Sequence, residues 1–201
     1  MILLYIFVRL PWAILESLAY RGRLLIRGIV ANVTLRNRVR FNGFPILRGN
    51  IKWGKDVIVN SGFCSNLYGL FQRTIIYAYD GAEIVIGDNV GLSGVTLNSR
   101  ERIEIGAGTL VGGNVKIIDH DFHPVDSRFR NPDITEKIGC STVLVGEKCF
   151  IGGGAIITKG VHLGDCCVVG SGAVVVSGNY PEGSLIVGNP AKVVKIYPIE
   201  K

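Results

Sequence analysis

Cut the chain every six residues from Val145 and an aliphatic residue opens each piece: VGEKCF, IGGGAI, ITKGVH, LGDCCV, VGSGAV, then Val175. Glycine follows that residue in four of the five complete pieces. Upstream, Ile105, Val111 and Ile117 keep the same step, as do Ile86 and Leu92. A fixed short period is the mark of a solenoid, in which each repeat buries its apolar side only by stacking on its neighbours. An aliphatic residue every six positions, with small residues between, suits short strands joined by tight corners. Three such pieces close one triangular turn of chain, with aliphatic side chains stacked inward and glycines easing the bends.

The period slips twice. Ile86 to Ile105 spans 19 residues, one more than a full turn, and Ile105 to Val145 spans 40, four more than two turns. The second slip contains IDHDFHPVD, residues 118–126, with two of the three histidines. Residues 119–137 read as an excursion loop, and Arg128, Arg130 and Asn131-Pro132-Asp133 mark it as polar and irregular. A long loop thrown out of a regular solenoid carries function more often than not. The stretch itself suits a metal cluster, a base with its helpers, or a polar loop. Residues 46–59 read as degenerate first turns, whereas 65–80, with Tyr68, Phe71, Tyr77 and Tyr79, fit the period poorly. After Val176 the pattern gives way to a closing turn and a short cap.

The net charge is +6, and the first 48 residues hold eight arginines against Glu16. No helix-turn-helix, zinc finger or aromatic RNA platform accompanies that charge, so nucleic acid is not the expected partner. The apolar start, MILLYIFVRLPWAIL, is interrupted by Arg9 and Pro11 and is too short for a span, which needs roughly 20 residues. Residues 1–45 are therefore expected to be a basic apolar segment with a short helix. That helix either packs on the main domain or a neighbouring subunit, or makes peripheral membrane contact through residues 1–30. Five cysteines, an odd number with no CxxC, fit reduced thiols in a cytoplasmic protein, here expected at the inner face of the membrane.

The pieces IGDNVG, IGAGTL, VGEKCF and IGGGAI, with GNPAK at 188–192, resemble the hexapeptide-repeat acyltransferases over roughly residues 45–197. GLSGVTL (91–97) together with DHDFHPVDSRFR (119–130) is most similar to the sugar O-acetyltransferases of surface-polysaccharide biosynthesis. The resemblance implies an all-β fold, a left-handed parallel β-helix over 46–197 with a C-terminal cap. It also implies a homotrimer and direct acetyl transfer from acetyl-CoA to an acceptor hydroxyl, with no metal. In galactoside and maltose acetyltransferases the general base opens a His-Pro-aliphatic motif with an arginine seven residues on. His123-Pro124-Val125 and Arg130 match that pattern, and His120 is the alternative base. An imidazole suits the task, because its ordinary pKa lets it take a hydroxyl proton near neutrality.

By the same resemblance the Gly153 N–H stabilises the oxyanion, and Phe150, Gly153, Ser171 and Lys192 hold acetyl-CoA. The chain departs from the family in having Val176-Ser177 where Thr-Lys is frequent, which leaves Lys159 or Lys195 to supply a phosphate contact. Ser93, Asn98, Asp119, Arg128 and Arg130 are the acceptor-side candidates, the arginines for a phosphate on a lipid- or nucleotide-linked sugar. Asp119, Asp121 or a backbone carbonyl orients the imidazole. Competing readings are a non-catalytic scaffold, acetylation of an antibiotic or a nucleotide amino sugar, and a γ-type carbonic anhydrase. The last pairs its histidines as HxxxxH, whereas this chain has HxxH.

Overall fold

A computed structural model describes residues 36–63, 65–130 and 134–199. The expected helical segment at 1–30, together with Cys64 and Asn131-Pro132-Asp133, lies outside these. The chain winds into a three-faced parallel β-helix. Face A holds β1 (Arg40–Gly43), β4 (Ile58–Ser61), β7 (Gly91–Ser93), β10 (Leu110–Val111), β13 (Phe150–Ile151), β16 (Val168–Val169), β19 (Ser184–Gly188) and β20 (Ala191–Ile196). Face B stacks β2 (Ile46–Arg48), β5 (Ile75–Ala78), β8 (Thr96–Ser99), β11 (Lys116–Ile118), β14 (Ile156–Ile157) and β17 (Val174–Val175). Face C stacks β3 (Asn50–Trp53), β6 (Glu83–Ile86), β9 (Arg102–Ile105), β12 (Val143–Val145), β15 (Val161–Leu163) and β18 (Gly178–Tyr180). The first strand begins at Arg40, six residues upstream of the boundary expected at 46, because Val39 and Phe41 already belong to the core.

The six-residue frame is the core. On face A, Val59, Leu92, Val111, Ile151, Val169 and Ile186 stack in register. On face B, Ile76, Leu97, Ile117, Ile157 and Val175 do the same, and on face C, Ile86, Ile105, Val145 and Leu163. Every one of these residues is buried. Each such side chain stabilises the fold by roughly 1.5–3 kcal/mol before conformational entropy is charged against it.

The three corners differ. At the C/A corner a glycine recurs turn after turn, at Gly54, Gly87, Gly106, Gly146 and Gly164. A Cβ on Gly87 would meet Ala107 N at 2.7 Å, and one on Gly106 would meet Glu147 N at 2.5 Å, so backbone lies on backbone there. The B/C corner is wide: Ile76 and Ile86 are ten residues apart and Leu97 and Ile105 eight, where the regular step is six. The A/B corner throws out a strap between β4 and β5, described over residues 62–63 and 65–73. The slip between Ile86 and Ile105 is thus two changes, a shortened A/B turn from Leu92 to Leu97 and a lengthened B/C turn after it. The strand β20 turns back antiparallel on β19 and caps the end of face A.

Candidate active site

The excursion loop leaves the B/C corner after Ile118, and its root is held by one carboxylate. Asp119 is fully buried, and its Oδ2 accepts from the Ser99 hydroxyl at 2.6 Å and the Glu101 N–H at 2.9 Å. Its Oδ1 accepts from the Arg100 N–H at 2.8 Å and lies 3.0 Å from His120 Nδ1. Burial opposes ionisation, but the bonds from His120, Ser99 and the two backbone N–H groups outweigh it and hold the carboxyl below its ordinary range. Beyond this point His120 bridges to Cys140, the Asp121 N–H donates to Gly139 O at 3.0 Å, and Ser141 N–H donates to Asp119 O at 2.8 Å. Asp121 also pairs with Lys159 of the next turn.

His120 and His123 have opposite surroundings. His120 is buried between Tyr79, whose ring centroid is 5.7 Å away, and Phe122, at 4.5 Å. Its Nδ1 faces Asp119, and among the described residues its buried Nε2 has no hydrogen-bond partner. His123 is exposed. Its N–H donates to Asp121 O at 2.7 Å across Phe122, which has φ +61°. An i to i+2 bond over a non-glycine residue at positive φ is a strained γ-turn, a conformation that concentrates at functional sites. Pro124, buried on the other side, pins the crest that carries His123.

The acceptor-side candidates are not all brought together. Asn98 faces outward from β8 at the B/C corner, with Oδ1 buried and without a partner among the described residues. Ser93 lies at the A/B corner, on the far side of face B, and its Oγ bonds the side-chain amides of Asn60 at 3.1 Å and Asn66 at 3.0 Å. Arg128 folds back on Asp126, with Nε 3.0 Å from Oδ2, and Arg130 donates to Val125 O at 2.9 Å. Both guanidinium groups therefore brace the loop. Lys159 is likewise occupied, on Asp121, and Lys195 lies over the Tyr197 ring at 4.3 Å.

The donor-side candidates lie on face A and its A/B corner. Phe150 stands half-exposed on face A, and Gly153 and Ser171 occupy successive turns of the A/B corner. There a Cβ on Gly152 would meet Ser171 N at 2.5 Å, and Gly172 N–H donates to Gly153 O at 3.0 Å. Lys192 is exposed on β20, where the strand caps face A. The face-B strand and its corners separate Gly153 from the histidine loop by about six residues, roughly 20 Å at 3.3 Å per residue. Among the described residues no group of three or more His, Cys, Asp or Glu is placed to hold a metal ion. No described helix is long and apolar enough to cross a membrane.

Two features at these corners escape the period. Tyr68, on the strap, lies over Gly113 and Gly153. Arg100 sits over the Tyr79 ring at 4.2 Å beside His120. The signal for both was the poor fit of residues 65–80 and the lengthened turn before Ile105.

The structure is that of a hexapeptide-repeat left-handed β-helix, with its loop and corner sites on two edges of one face. Residues 142–177 match the hexapeptide repeat of succinyl-transferase. A maltose O-acetyltransferase from Clostridium difficile 630 is 27% identical, with TM-score 0.53 over 82% of this chain and 73% of that one. A mutant of the N-acyltransferase AntD from Bacillus cereus, solved with dTDP and coenzyme A, gives TM-score 0.63 at 18% identity, over 80% and 81%. The polysialic acid O-acetyltransferase OatWY gives 0.56 at 20%, over 81% and 71%. No curated protein matches the chain by sequence comparison. The repeat over residues 142–177 and the three-faced β-helix are what this chain shares with these acyltransferases.

Proposed function

We propose that the protein transfers the acetyl group of acetyl-CoA to a hydroxyl of a sugar in a surface polysaccharide or its lipid-linked precursor. The observation that carries this reading is His123, exposed on a strained crest whose root is fixed by Asp119 and by the Asp121–Lys159 pair. The 27% identity to a maltose O-acetyltransferase supports a sugar as acceptor. His123 takes the proton of the acceptor hydroxyl as its oxygen bonds to the thioester carbon. The Gly153 N–H faces the oxygen that gains charge, a role preorganised backbone donors fill at little reorganisation cost. The carbon–sulfur bond then breaks, and the thiolate leaves with the proton held by His123. Asn98 faces the acceptor, and Phe150, Ser171 and Lys192 hold the donor.

Because His123 and Gly153 occupy different corners of one chain, the reaction needs the loop of one copy against the A/B corner of another. A closed trimer supplies three such sites. The basic apolar residues 1–30 would keep the protein at the inner face of the membrane, near a lipid-linked acceptor.

The test is release of free CoA from acetyl-CoA with maltose, polysaccharide repeat units, lipid-linked oligosaccharides and nucleotide amino sugars as acceptors. His123→Ala should lower kcat by about 10²–10⁴ while retaining acetyl-CoA binding. Activity kept in His123→Ala and lost in His120→Ala would move the base to His120. Turnover only with nucleotide amino sugars would change the acceptor class, and no acetyl-CoA binding at all would leave a scaffold.

A further inference from the structure

The strap is tied down along the A/B corner by its residues 66–72. Asn66 donates to Ser93 Oγ at 3.0 Å, and Gln72 Nε2 donates to Gly94 O at 2.8 Å. One turn further on, the Phe71 N–H donates to Asn114 Oδ1 at 3.3 Å, while Asn114 Nδ2 returns a bond to Gly69 O at 3.3 Å. Leu70 is buried beneath the strap, and its Cδ2 would lie 3.1 Å from a Cβ on Gly94 and 3.2 Å from one on Gly113. The strap thus runs along the solenoid axis and covers the corner of two successive turns. Tyr68 reaches the third. A Cβ on Gly113 would lie 2.4 Å from its Cδ1, and one on Gly153 would lie 2.4 Å from Cζ and 2.5 Å from the hydroxyl oxygen. Its N–H donates to Asn66 Oδ1 at 2.9 Å, which fixes the backbone that carries the ring.

Gly153 is therefore the point at which the covered corner becomes bare. Towards the amino end the phenol stands against it. Towards the carboxyl end Gly154 and Gly172 have nothing within 4 Å of a built Cβ, and Ser171 is exposed. We propose that Tyr68 limits the length of the acyl group: a thioester carbonyl held at Gly153 points its alkyl end at the phenol, which stops a longer chain. This rests on the reading that acetyl-CoA lies along Phe150, Gly153, Ser171 and Lys192. It makes Tyr68 a specificity-determining residue rather than a base or an acid. Leu70, Gln72 and Asn114 support it by holding the strap.

The experiment is calorimetric binding of CoA, acetyl-CoA and butyryl-CoA to the full chain, with melting curves to show that each variant is folded. Wild type should prefer acetyl-CoA over butyryl-CoA by about tenfold or more, the least that steric rejection of even one of the two added methylenes achieves. Tyr68→Ala should bring the two within about threefold by improving butyryl-CoA, and leave CoA itself unchanged. Tyr68→Phe, which keeps the ring, should retain the wild-type ratio. A folded Tyr68→Ala protein with the wild-type ratio overturns the assignment and leaves the acetyl-CoA reading standing. Failure of wild type to bind any of the three compounds overturns both.

Discussion

Replacing Asp119 by asparagine probes the root of the excursion loop with almost no change in shape. The carboxylate accepts from four donors, two on each oxygen. An amide keeps one acceptor and places an NH₂ against the other pair. If the NH₂ replaces Oδ2, the Ser99 hydroxyl can rotate and accept, but the Glu101 N–H cannot. If it replaces Oδ1, the His120 ring can shift its proton, but the Arg100 N–H cannot. Either way one half-buried backbone N–H is left unpaired, at about 1–3 kcal/mol, and the remaining bonds lose their charge assistance. The total is about 3 kcal/mol, or roughly 6–12 °C in Tm for a chain of this size. Urea unfolding at fixed protein concentration, read by circular dichroism and tryptophan fluorescence, measures it directly. The pH dependence adds a second reading. Because the folded-state pKa is depressed, the carboxylate's stabilisation is complete above the unfolded value near 3.9 and lost as pH falls through the lower folded one. The gap between wild type and variant should therefore be constant from about pH 5 to 7 and narrow below about pH 4. A gap under about 0.5 kcal/mol at pH 7, the size of an ordinary surface substitution, would refute the argument.

Gly106→Ala should cost about 3 kcal/mol or more, because its Cβ would meet Glu147 N at 2.5 Å and only a separation of the turns relieves it. Gly172→Ala, at φ +70° with nothing within 4 Å, should cost only about 1–2 kcal/mol of backbone strain. Parallel urea titrations compare the two, and equal losses would contradict the backbone-contact account. Lys159→Met removes the strut on Asp121 and should leave global stability within about 1 kcal/mol, as for other partly exposed pairs. Limited trypsin cleavage after Arg128 and Arg130 should accelerate severalfold, and an unchanged rate would show that the pair does not hold the loop.

The solenoid was legible because each aliphatic position repeats the same information: Val145, Ile151, Ile157 and Leu163 all report one frame, and all are buried. The excursion loop was legible as a loss of that frame. Its internal wiring was not, since Asp119, Asp121 and a backbone carbonyl were equal candidates to orient an imidazole. The structure gives Asp119 to His120 and Asp121 to Lys159, a division set by a contact 38 residues away in sequence. Ser93 and Asn98, five residues apart, read as neighbours in one acceptor site, but the corner between them puts each on a different edge of face B. The strap stayed hidden for a related reason. Tyr68 is explained by Gly113 and Gly153, far along the chain, and no local pattern announces that pairing.

The glycine ladder at the C/A corner limits how such a chain can gain new segments. There each turn leaves no space for so much as a methyl group before it meets the backbone of the next, so an inserted residue would force adjacent turns apart along that seam. The A/B corner is close-packed at Gly112 and Gly152 but open at Gly154 and Gly172, and it is at the A/B and B/C corners that the chain has grown its strap and its histidine loop. Extra length, and with it new specificity, can be grafted onto two seams of this prism; the third works as a zip fastener that must stay closed.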